Sequence, residues 1–367
     1  MAKILILGAG FSGVTTAYLL SKKGHKVTVL EGSDHPGDGV WTKFYGGHPY
    51  TFGPRIFYTW DKEVFEHIEK FVKLRKFYTR TWTYVEKDKK LYHYPIQKKD
   101  IKMMPDSEKI IRELAVRKGK KPSVEDFETY WIDMIGQTLY EKFVNNYSKK
   151  MWGVKSNKEL VADFKWVNKG TPIRNGDDRL YTDQFQGYPE APDGYNEYFI
   201  KSLKGSEVLF NCKIDHINTN TRTVTTSKGD FTGDVIINTI HVDTLLKYTF
   251  GELRYYGRKL LKVVVPVEYS FPEDVTWIHY SGNEPFTRIT EFKKITDHKA
   301  SDTLLGIEIP SVKNRLYPVQ SKSEFKKYEQ YKSLFPKNFY SIGRLGTFKY
   351  KGIEDVIRES LDLSKTL

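Results

Sequence analysis

A glycine-rich turn close to the N-terminus constrains the fold of this chain more than any other feature. Residues 4–7 (ILIL) have the continuous apolar pattern of a parallel strand covered on both faces, and they lead directly into residues 8–13 (GAGFSG). Residues 14–23 are predicted to form a helix, and residues 26–30 (KVTVL) a second strand. This order predicts a βαβ unit at the start of a doubly wound α/β domain.

The three glycines of the turn match the needs of a bound dinucleotide. Gly8 permits the tight turn, Gly10 lets the backbone approach a pyrophosphate, and Gly13 lets helix and strand pack closely. The helix N-terminus offers N–H groups and a partial positive charge to the phosphates. Glu31 follows the second strand about 20 residues further on, where a carboxylate can accept hydrogen bonds from ribose hydroxyls. The pattern therefore predicts a cofactor that contains ADP.

The cofactor is predicted to be FAD rather than NAD. A nicotinamide dehydrogenase would continue with further βαβ repeats, whereas this chain continues with glycine-rich sequence that does not repeat. Near the C-terminus, a predicted strand at residues 338–342 leads into a Gly-Arg pair and an amphipathic helix, an arrangement found in many flavoproteins. The predicted cofactor-binding residues are Gly8, Gly10, Phe11, Ser12, Gly13, Glu31, Gly39, Gly343 and Arg344.

The middle of the chain is predicted to leave this first domain and to return to it. Residues 76–96 alternate aromatic and polar side chains around a lysine-rich turn, which predicts a hairpin. Residues 106–165 have helical periodicity, and residues 208–231 and 262–310 are predicted to form strands. The apolar segment at 234–238 is predicted to rejoin the first sheet.

An aromatic stripe runs through the predicted helices. Leu139, Phe143, Tyr147 and Met151 recur every four residues, a spacing that places them on one helical face. Spacing alone favours packing in a hydrophobic core. The alternative is that Phe143 and Tyr147, which precede Trp152, stack on a nucleobase.

Composition excludes several classes of protein. The 59 lysines and arginines outnumber the 46 acidic residues and give a net charge of +13. No nucleic-acid-binding motif is recognisable, so a polyanionic small molecule is the favoured binding partner and nucleic acid is not expected. Because Cys212 is the only cysteine, an intrachain disulfide is impossible. No apolar run reaches the ~20 residues of a membrane span, and the opening run is too short for a signal peptide. A cytoplasmic globular protein is expected.

No motif for metal or hydrolytic chemistry is recognisable. The nine histidines are dispersed, and the sequence contains neither His-Glu-x-x-His nor Gly-x-Ser-x-Gly. No metal site is therefore predicted. The candidate active groups are arginines and tyrosines. They suit the recognition of a diphosphate, because guanidinium groups bind phosphate oxygens through paired, charge-assisted hydrogen bonds.

Short motifs then follow one another along nearly the whole chain. They are GPRIFYT at 53–59, YSKKMWG at 147–153, PIR at 172–174, DQFQGYP at 183–189, PFTRI at 285–289, YPV at 317–319, GRL at 343–345 and KY at 349–350. Together with the glycine turn and Glu31, these motifs resemble those of the UDP-galactopyranose mutases. These are flavoenzymes that interconvert the pyranose and furanose forms of a nucleotide sugar.

The resemblance implies covalent catalysis by reduced FAD without net oxidation of the substrate. The flavin N5 atom would attack the anomeric carbon, expel UDP and form a flavin–sugar adduct. The sugar ring would then open and reclose through a different hydroxyl before UDP returns. The implied substrate is a UDP-hexose, either UDP-galactose or UDP-N-acetylgalactosamine.

The resemblance also implies roles for individual residues through their positions in the motifs. Arg174 and Arg288 would clamp the diphosphate, and Tyr317 and Tyr350 would donate hydrogen bonds to it. Arg344 would contact the flavin. The residues implied for the nucleotide pocket are Phe143, Tyr147, Trp152, Tyr181 and Phe185.

The chain departs from the family pattern at several positions. Residues 37–39 read GDG instead of Gly-Gly-Asn, Phe185 lacks the hydroxyl of the family's tyrosine, and Gly352 replaces an aspartate. Arg55 and Tyr58 stand where the family has two histidines. These departures make plain UDP-galactose a less certain substrate, but they leave the chemistry of the flavin in place.

Arg55 is counted among the predicted catalytic residues. Arginine is permanently charged and carries five N–H donors, so this side chain could reach an N-acetyl carbonyl or a phosphate oxygen. That reach favours UDP-N-acetylgalactosamine, alone or alongside UDP-galactose. The alternatives are another nucleotide-linked 6-deoxyhexose or pentose, plain UDP-galactose, or an Arg55 that only repacks around Tyr58 and Gly352.

The predicted fold class is α/β, a Rossmann-like FAD-binding domain with an inserted helical bundle and an antiparallel β-sheet domain. The predicted boundaries are 1–75, 187–246 and 330–367 for the FAD-binding domain, 97–165 for the helical domain, and 76–96, 166–186 and 247–329 for the sheet domain. A homodimer without membrane insertion is expected. An FAD-dependent oxidase or dehydrogenase is the alternative function, and an inactive nucleotide-sugar-binding protein is a third.

Overall fold

The computed structural model describes residues 1–162, 173–182, 184–272 and 274–367. Two motif residues, Pro172 and Asp183, and the end of the predicted helical region at 163–165 lie outside the described residues.

The described chain contains both strands and helices. The strands are β1 Lys3–Leu7, β2 Lys26–Leu30, β3 Lys43–Tyr45, β4 His48–Tyr50, β5 Phe57–Thr59, β6 Leu74–Lys76, β7 Arg80–Val85, β8 Lys90–Tyr94, β9 Ile96–Gln97, β10 Ile173–Arg174, β11 Phe185–Pro189, β12 Glu207–Leu209, β13 Ile214–Asn218, β14 Thr223–Thr226, β15 Gly229–Thr232, β16 Val235–Asn238, β17 Tyr255–Val265, β18 Val275–Tyr280, β19 Arg288–Glu291, β20 Thr303–Ser311, β21 Tyr317–Pro318 and β22 Phe339–Ser341. The helices are α1 Phe11–Lys22, α2 Lys62–Glu69, α3 Lys98–Met103, α4 Ser107–Arg117, α5 Phe127–Ile135, α6 Gln137–Phe143, α7 Asn145–Trp152, α8 Asn196–Ser202, α9 Val242–Leu245, α10 Lys293–Thr296, α11 Lys322–Lys332, α12 Gly343–Gly346 and α13 Ile353–Thr366.

A five-stranded parallel sheet with the order β12-β2-β1-β16-β22 carries the glycine turn. Strand β1 lies between β2 and β16, and Leu5 is aligned with Thr28 on one side and with Ile236 on the other. The prediction that the segment at 234–238 rejoins the first sheet is confirmed. The predicted late strand is also confirmed, since β22 forms the edge of this sheet beside β16.

Both faces of this sheet are covered, which explains why four successive residues of β1 are apolar. Ile4 and Ile6 belong to a core cluster that also contains residues of α1 and α13. Leu5 and Leu7 belong to a second cluster, together with Val224 of the three-stranded sheet β13-β14-β15 and residues of α9 and α11. A parallel sheet needs such double cover, because its strands are buried on both faces.

A second sheet of seven strands has the order β21-β17-β20-β19-β18-β7-β8. Its ladders are antiparallel except for the parallel pair of β18 and β7. Strands β7 and β8 form the predicted hairpin, but it begins at Arg80 rather than at residue 76. The reason is that β6 pairs with β11 in a separate three-stranded sheet, so residues 77–79 cross between two sheets. With these sheets and the helices between them, the predicted α/β fold class is confirmed.

The predicted aromatic stripe is divided between two helices. Helix α6 ends before Val144 and α7 begins after it, because Val144 has a φ of −117°, outside the helical range. The amide of Ser148 still donates to the carbonyl of Val144 at 2.8 Å, so the two helices follow each other closely. All four residues of the stripe are buried in one core cluster with Tyr92 of the hairpin.

Among the described residues, no helix combines the length and the apolar composition that crossing a bilayer requires. The domain boundaries given above stay a prediction.

The glycine turn allows a paired test of its packing. A Cβ atom on Gly13 would overlap the carbonyl oxygen of Gly8, whereas a Cβ atom on Gly10 would meet open space. We expect Gly13→Ala to lower the free energy of unfolding by ~3 kcal/mol or more, as overpacking against backbone does. Gly10→Ala should stay within ~1 kcal/mol of the parent. Urea denaturation of both variants checks this, and equal losses would contradict the packing role of Gly13.

Candidate functional site

A cleft opens where β1 gives way to the glycine turn. Its empty volume, with open solvent at its mouth included, is about 840 Å³. One wall is formed by Gly10 and by Phe11 and Ser12, the first residues of α1. Apart from its chain neighbours, no heavy atom lies within 4 Å of the position of a Cβ atom on Gly10. The N-terminus of α1 therefore faces a space that phosphate groups can enter.

Glu31 stands beside this turn, directly after β2. Its Oε2 accepts a hydrogen bond from the amide of Ala9 at 2.7 Å, and its Oε1 accepts one from the amide of Ser33 at 2.8 Å. Gly8 has a φ of +100°, a conformation that suits only glycine, and its amide donates to the carbonyl of Leu30 at 2.8 Å. The carboxylate thus holds the turn in shape, next to the place predicted for a ribose.

The C-terminal segment closes the cleft from the other side. Gly343 has a φ of +78°, and a Cβ atom there would lie 2.5 Å from Oγ of Ser12. The amide of Gly343 donates to Glu359 at 2.7 Å. Arg344 also lines the cleft, and its Nε donates to the carbonyl of Lys351 at 2.9 Å. The last strand and helix of the chain are therefore part of the cleft wall.

Residues 37–40 form a third part of the wall. Residues 37–39 among them depart from the family pattern. Gly37 has a φ of +85°, and a Cβ atom there would press into the ring of Phe199. Gly39 lies against Arg55, because a Cβ atom on Gly39 would be 3.4 Å from Nη2 of that arginine. Arg55 lines the cleft as well. The backbone stays small here, which leaves room for an elongated ligand.

Beyond Arg55, arginines surround one tyrosine. The guanidinium groups of Arg258 and Arg344 lie 5.1 and 5.0 Å from the ring centroid of Tyr317, and Arg55 lies against its hydroxyl. The ring of Tyr350 stacks on that of Tyr317 with centroids 6.1 Å apart. Burial raises the pKa of Tyr317, but the positive charges of the three arginines outweigh this effect and bring the pKa down to about 8.

Arg288 is held by a buried carboxylate. Its Nε donates to Oε1 of Glu308 and its Nη2 to Oε2, both at 2.8 Å, and the Glu308 side chain is 5% exposed. The guanidinium also lies 5.2 Å from the ring of Trp277. Burial lowers the pKa of Arg288, but Glu308 and the nearby tyrosines outweigh it, so the pKa is raised. The bidentate pair fixes the direction of the guanidinium.

Arg258 is buried without a carboxylate partner. The residue is 2% exposed, and its guanidinium donates to the carbonyls of Gly257 at 2.6 Å and Met151 at 2.8 Å. Its Nε is buried without a hydrogen-bond partner, and no described carboxylate lies within 4 Å of its guanidinium. A buried charge of this kind is costly unless it is neutralised. Together with Arg55, Arg288 and Arg344, it makes this end of the cleft a site for an anion.

The structure does not bring Arg174 onto this arginine cluster. Its side chain donates to the carbonyls of Arg179 and, at 3.3 Å, of Leu180. Strand β10, which carries Arg174, pairs with β9 instead of with the seven-stranded sheet. The charge of Arg174 is felt by Tyr94, whose pKa burial raises and Arg174 lowers, with a net rise to about 12. Tyr94 in turn lies 5.5 Å from His279.

The residues implied for the nucleotide pocket are divided among several places. Phe143 and Tyr147 line a small cavity together with Tyr94 and His279. Trp152 lies elsewhere, with its ring edge-on to that of Tyr350 at 5.8 Å. The structure therefore shows the side chains of the stripe packed in the core, as their spacing favours.

Tyr181 and Phe185 pack in different places. Tyr181 stacks on Tyr58 with ring centroids 4.4 Å apart, and its carbonyl accepts a hydrogen bond from Gln186. Phe185, one residue before Gln186, points to the opposite face and packs on Phe65 at 4.5 Å. Phe185 also lines a separate surface pocket. The structure therefore places Phe185 away from the cleft.

His279 was not predicted as a site residue, because nothing in the dispersed histidines distinguishes it. The indole N–H of Trp277 donates to Nε2 of His279 at 3.0 Å, so the ring proton must be on Nδ1. Burial and the charge of Arg288 lower the pKa of His279 to about 3. The imidazole is therefore neutral at any physiological pH and serves as a polar lining group, not as an acid.

Glu308 and Arg258 were also not predicted as site residues, because their positions depend on the register of the strands that carry them. Glu308 is aligned with Arg288 in the ladder between β20 and β19, and Arg258 is aligned with Pro310 in the ladder between β17 and β20. Opposite charges at directly opposed positions attract each other. The signal exists in the sequence only once the register of the strands is known.

The described part of the chain contains no group of side chains suited to bind a metal ion. Within residues 1–162, 173–182, 184–272 and 274–367, no three His, Cys, Asp or Glu side chains are grouped so that they could hold a metal ion.

The fold and the site define an α/β protein of the dinucleotide-binding class whose cleft ends beside a cluster of arginines. Comparisons with known proteins agree with this class. A family model described as UDP-galactopyranose mutase matches residues 142–350, and one described as an NAD(P)-binding Rossmann-like domain matches residues 6–73. The first match spans more than half of the chain. The chain therefore belongs to the UDP-galactopyranose mutase family and is an isomerase whose cofactor is a flavin.

Individual relatives extend along the whole chain. It is 28% identical to the dTDP-fucopyranose mutase of Escherichia coli, over 100% of this chain and 98% of the relative. It is also 28% identical to a probable UDP-galactopyranose mutase of Klebsiella pneumoniae, over 98% of this chain and 92% of the relative. The crystal structure of a reduced UDP-galactopyranose mutase has the same fold, with a TM-score of 0.82 at 17% identity over 100% of this chain and 95% of that one.

The pair of Arg288 and Glu308 gives a stability test. We expect Glu308→Gln to lower the free energy of unfolding by about 3 kcal/mol, because the buried guanidinium loses its counter-charge. A matched control is Glu63→Gln, which removes an exposed partner of Arg358 and should cost no more than ~1 kcal/mol. Urea denaturation compares the two. A loss at Glu308 no larger than that at Glu63 would contradict the assignment of a buried ion pair.

Proposed function

We propose that this chain interconverts the pyranose and furanose forms of a hexose that is carried by a pyrimidine nucleoside diphosphate, with reduced FAD as the cofactor. The observation that carries the proposal is the meeting of two sites. The dinucleotide cleft ends at Arg55, and a cluster of four arginines with one carboxylate begins there. A cofactor and a diphosphate bound in these places would meet at Arg55.

The cleft suits FAD on several counts. Gly10 leaves the N-terminus of α1 open to a pyrophosphate, Glu31 stands beside the place of a ribose, and the backbone at Gly39 leaves room for a longer cofactor. When bound, reduced flavin supplies the nucleophile for the anomeric carbon of the sugar. The protein's own contribution is to bind the nucleotide, hold the sugar and stabilise the charge of the departing diphosphate.

The arginines supply that stabilisation. Arg288, aligned by Glu308, can bind phosphate oxygens with the donors that Glu308 does not use. The charges of Arg258 and Arg344 act on the same anion, and they are buried or half-buried, where screening by water is weak. Arg174 would join the clamp if its guanidinium, which donates to the carbonyls of Arg179 and Leu180, turned toward the phosphate oxygens.

Neutral Tyr317 donates a hydrogen bond to the diphosphate in this proposal, and Tyr350 donates a second one. The hydroxyl of Tyr317 lies against Arg55, at the boundary between cofactor and substrate. An ionised Tyr317 would instead repel the diphosphate. Binding should therefore depend on the protonation of this phenol.

The proposed sugars are galactose, N-acetylgalactosamine and 6-deoxygalactose (fucose), linked to UDP or dTDP. The names of the relatives from Klebsiella and Escherichia cover UDP-galactopyranose and dTDP-fucopyranose. UDP-N-acetylgalactosamine stays among the candidates, with no contact to its acetyl group assigned to Arg55. A cytoplasmic homodimer remains part of the proposal.

The assay is incubation of the purified protein with each of UDP-galactose, UDP-N-acetylgalactosamine and dTDP-fucose, with and without dithionite. We expect furanose product only under reducing conditions and without stoichiometric consumption of reductant. Arg288→Ala should lose roughly 10–150-fold in rate or affinity with FAD still bound, since a charge-assisted hydrogen bond contributes ~1.5–3 kcal/mol. Stoichiometric oxidation of substrate would point to the oxidase or dehydrogenase alternative, and nucleotide-sugar binding without turnover to the inactive one.

Tyr317 gives a pH prediction with a definite sign. Its pKa is about 8, so the neutral, donating form dominates below pH 8 and the phenolate dominates above it. We expect the affinity for UDP to be level between pH 6.5 and 7.5 and to fall roughly tenfold by pH 9. Tyr317→Phe should bind UDP more weakly at neutral pH but lose this fall. Calorimetric titration across the pH range checks both, and the same fall in the variant would remove Tyr317 as its cause.

A further inference from the structure

Arg55 lies where the cofactor cleft and the arginine cluster meet. On one side, its Nη2 lies against the backbone of Gly39 in the cleft wall. On the other side, its guanidinium lies against the hydroxyl of Tyr317. The reacting ring of a flavin must approach the sugar of a substrate whose diphosphate is bound in the cluster. The flavin ring therefore has to lie at the Arg55 end of the cleft, and the phosphates of the cofactor at the Gly10 end.

The backbone holds Arg55 firmly in this position. Its carbonyl accepts a hydrogen bond at 2.8 Å from the hydroxyl of Tyr195, a side chain with no solvent exposure. Two residues earlier, Gly53 turns the chain with a φ of +85°. The direction in which the guanidinium leaves the backbone is thus set by the fold and not by a mobile surface loop.

Arg55 has no carboxylate partner of its own in the described part of the protein, although Tyr317 and Glu308 outweigh the effect of burial and raise its pKa. Its Nε is buried without a hydrogen-bond partner, and no described carboxylate lies within 4 Å of the guanidinium. The nearby carboxylate of Glu308 has both oxygens occupied by Arg288. A buried guanidinium that has no carboxylate partner and keeps one donor unused points to an anionic ligand.

Two anions could bind this guanidinium, the diphosphate of the substrate and the reduced flavin, and they would lie in different parts of the site. Arg288 and Arg258 belong to the cluster without lining the cofactor cleft, whereas Arg55 lines the cleft, as Arg344 does, and lies against its wall at Gly39. A flavin that takes up two electrons and one proton carries a negative charge that its oxidised form lacks. A fixed positive charge beside the ring stabilises the charged form relative to the neutral one.

Building on the proposed function, we propose that Arg55 acts as a positioning charge that favours the reduced, anionic flavin over the oxidised one. No covalent bond to Arg55 is made or broken. Two electrons pass from an external reductant such as dithionite to the oxidised flavin, one proton comes from water, and the guanidinium keeps its own protons. The substitution of the family's histidine by arginine makes this charge independent of pH, since arginine stays protonated.

The test is the reduction potential of the bound flavin, measured against a reference dye in the holoprotein. At a fixed dye potential, Arg55→Gln should lower the ratio of reduced to oxidised flavin at least tenfold, which corresponds to ~30 mV for a two-electron couple. Arg55→Lys keeps the charge and should stay within about threefold of the parent. Arg222→Gln removes an arginine of the turn before β14, outside the cleft, and should leave the ratio unchanged.

Arg55→His adds a second readout. Its imidazole titrates between about pH 5 and 8, so the potential should approach that of the parent at low pH and that of Arg55→Gln at high pH. An unchanged ratio in Arg55→Gln, or equal changes in Arg55→Gln and Arg55→Lys, would overturn the proposal. If the parent binds flavin and converts nucleotide sugar, those results refute the role of Arg55 alone. If the parent protein binds no flavin, both the proposed function and the role of Arg55 are refuted.

Discussion

Two glycine turns from opposite ends of the chain pack closely against each other at the base of the cleft. Gly13 lets α1 press against the carbonyl of Gly8, and Gly343 brings the C-terminal segment onto Ser12 with no room for a side chain. Both contacts are needed before β22 and α13 can join the first βαβ unit. These contacts bring the C-terminal segment, including Arg344, to the wall of the cleft.

The second constraint is electrostatic and opposes stability. Arg258 and Arg55 are placed among buried groups without a carboxylate partner in the described structure, and Glu308 is fully used by Arg288. A protein bears such a cost where a ligand later supplies the missing negative charge. The same arginines bring the pKa of Tyr317 to about 8. Without a bound ligand, the phenol of Tyr317 is therefore close to ionising near neutral pH. A negatively charged ligand and an ionised Tyr317 would thus compete for the same positive charges.

Arg55 links these two constraints. It reaches the cofactor side through Gly39 and the substrate side through Tyr317, and its backbone is held by the buried hydroxyl of Tyr195. A change at this position should therefore alter the flavin and the diphosphate site together. The histidine expected from the family pattern would carry a charge that depends on pH, whereas arginine carries one at every physiological pH.

The sequence by itself determined the parts of this protein that local physics decides. The glycine turn, the two flanking strands, the hairpin and the late strand follow from the permitted φ of glycine and from apolar periodicity over a few residues. Tertiary structure alone decided which charges meet. Glu308 faces Arg288 through strand register, Phe185 faces away from the cleft through the pleat of β11, and Arg174 stays on a separate short ladder. A shift of one residue in a strand reverses the face of every side chain, so a local pattern cannot specify contacts between segments far apart in the chain.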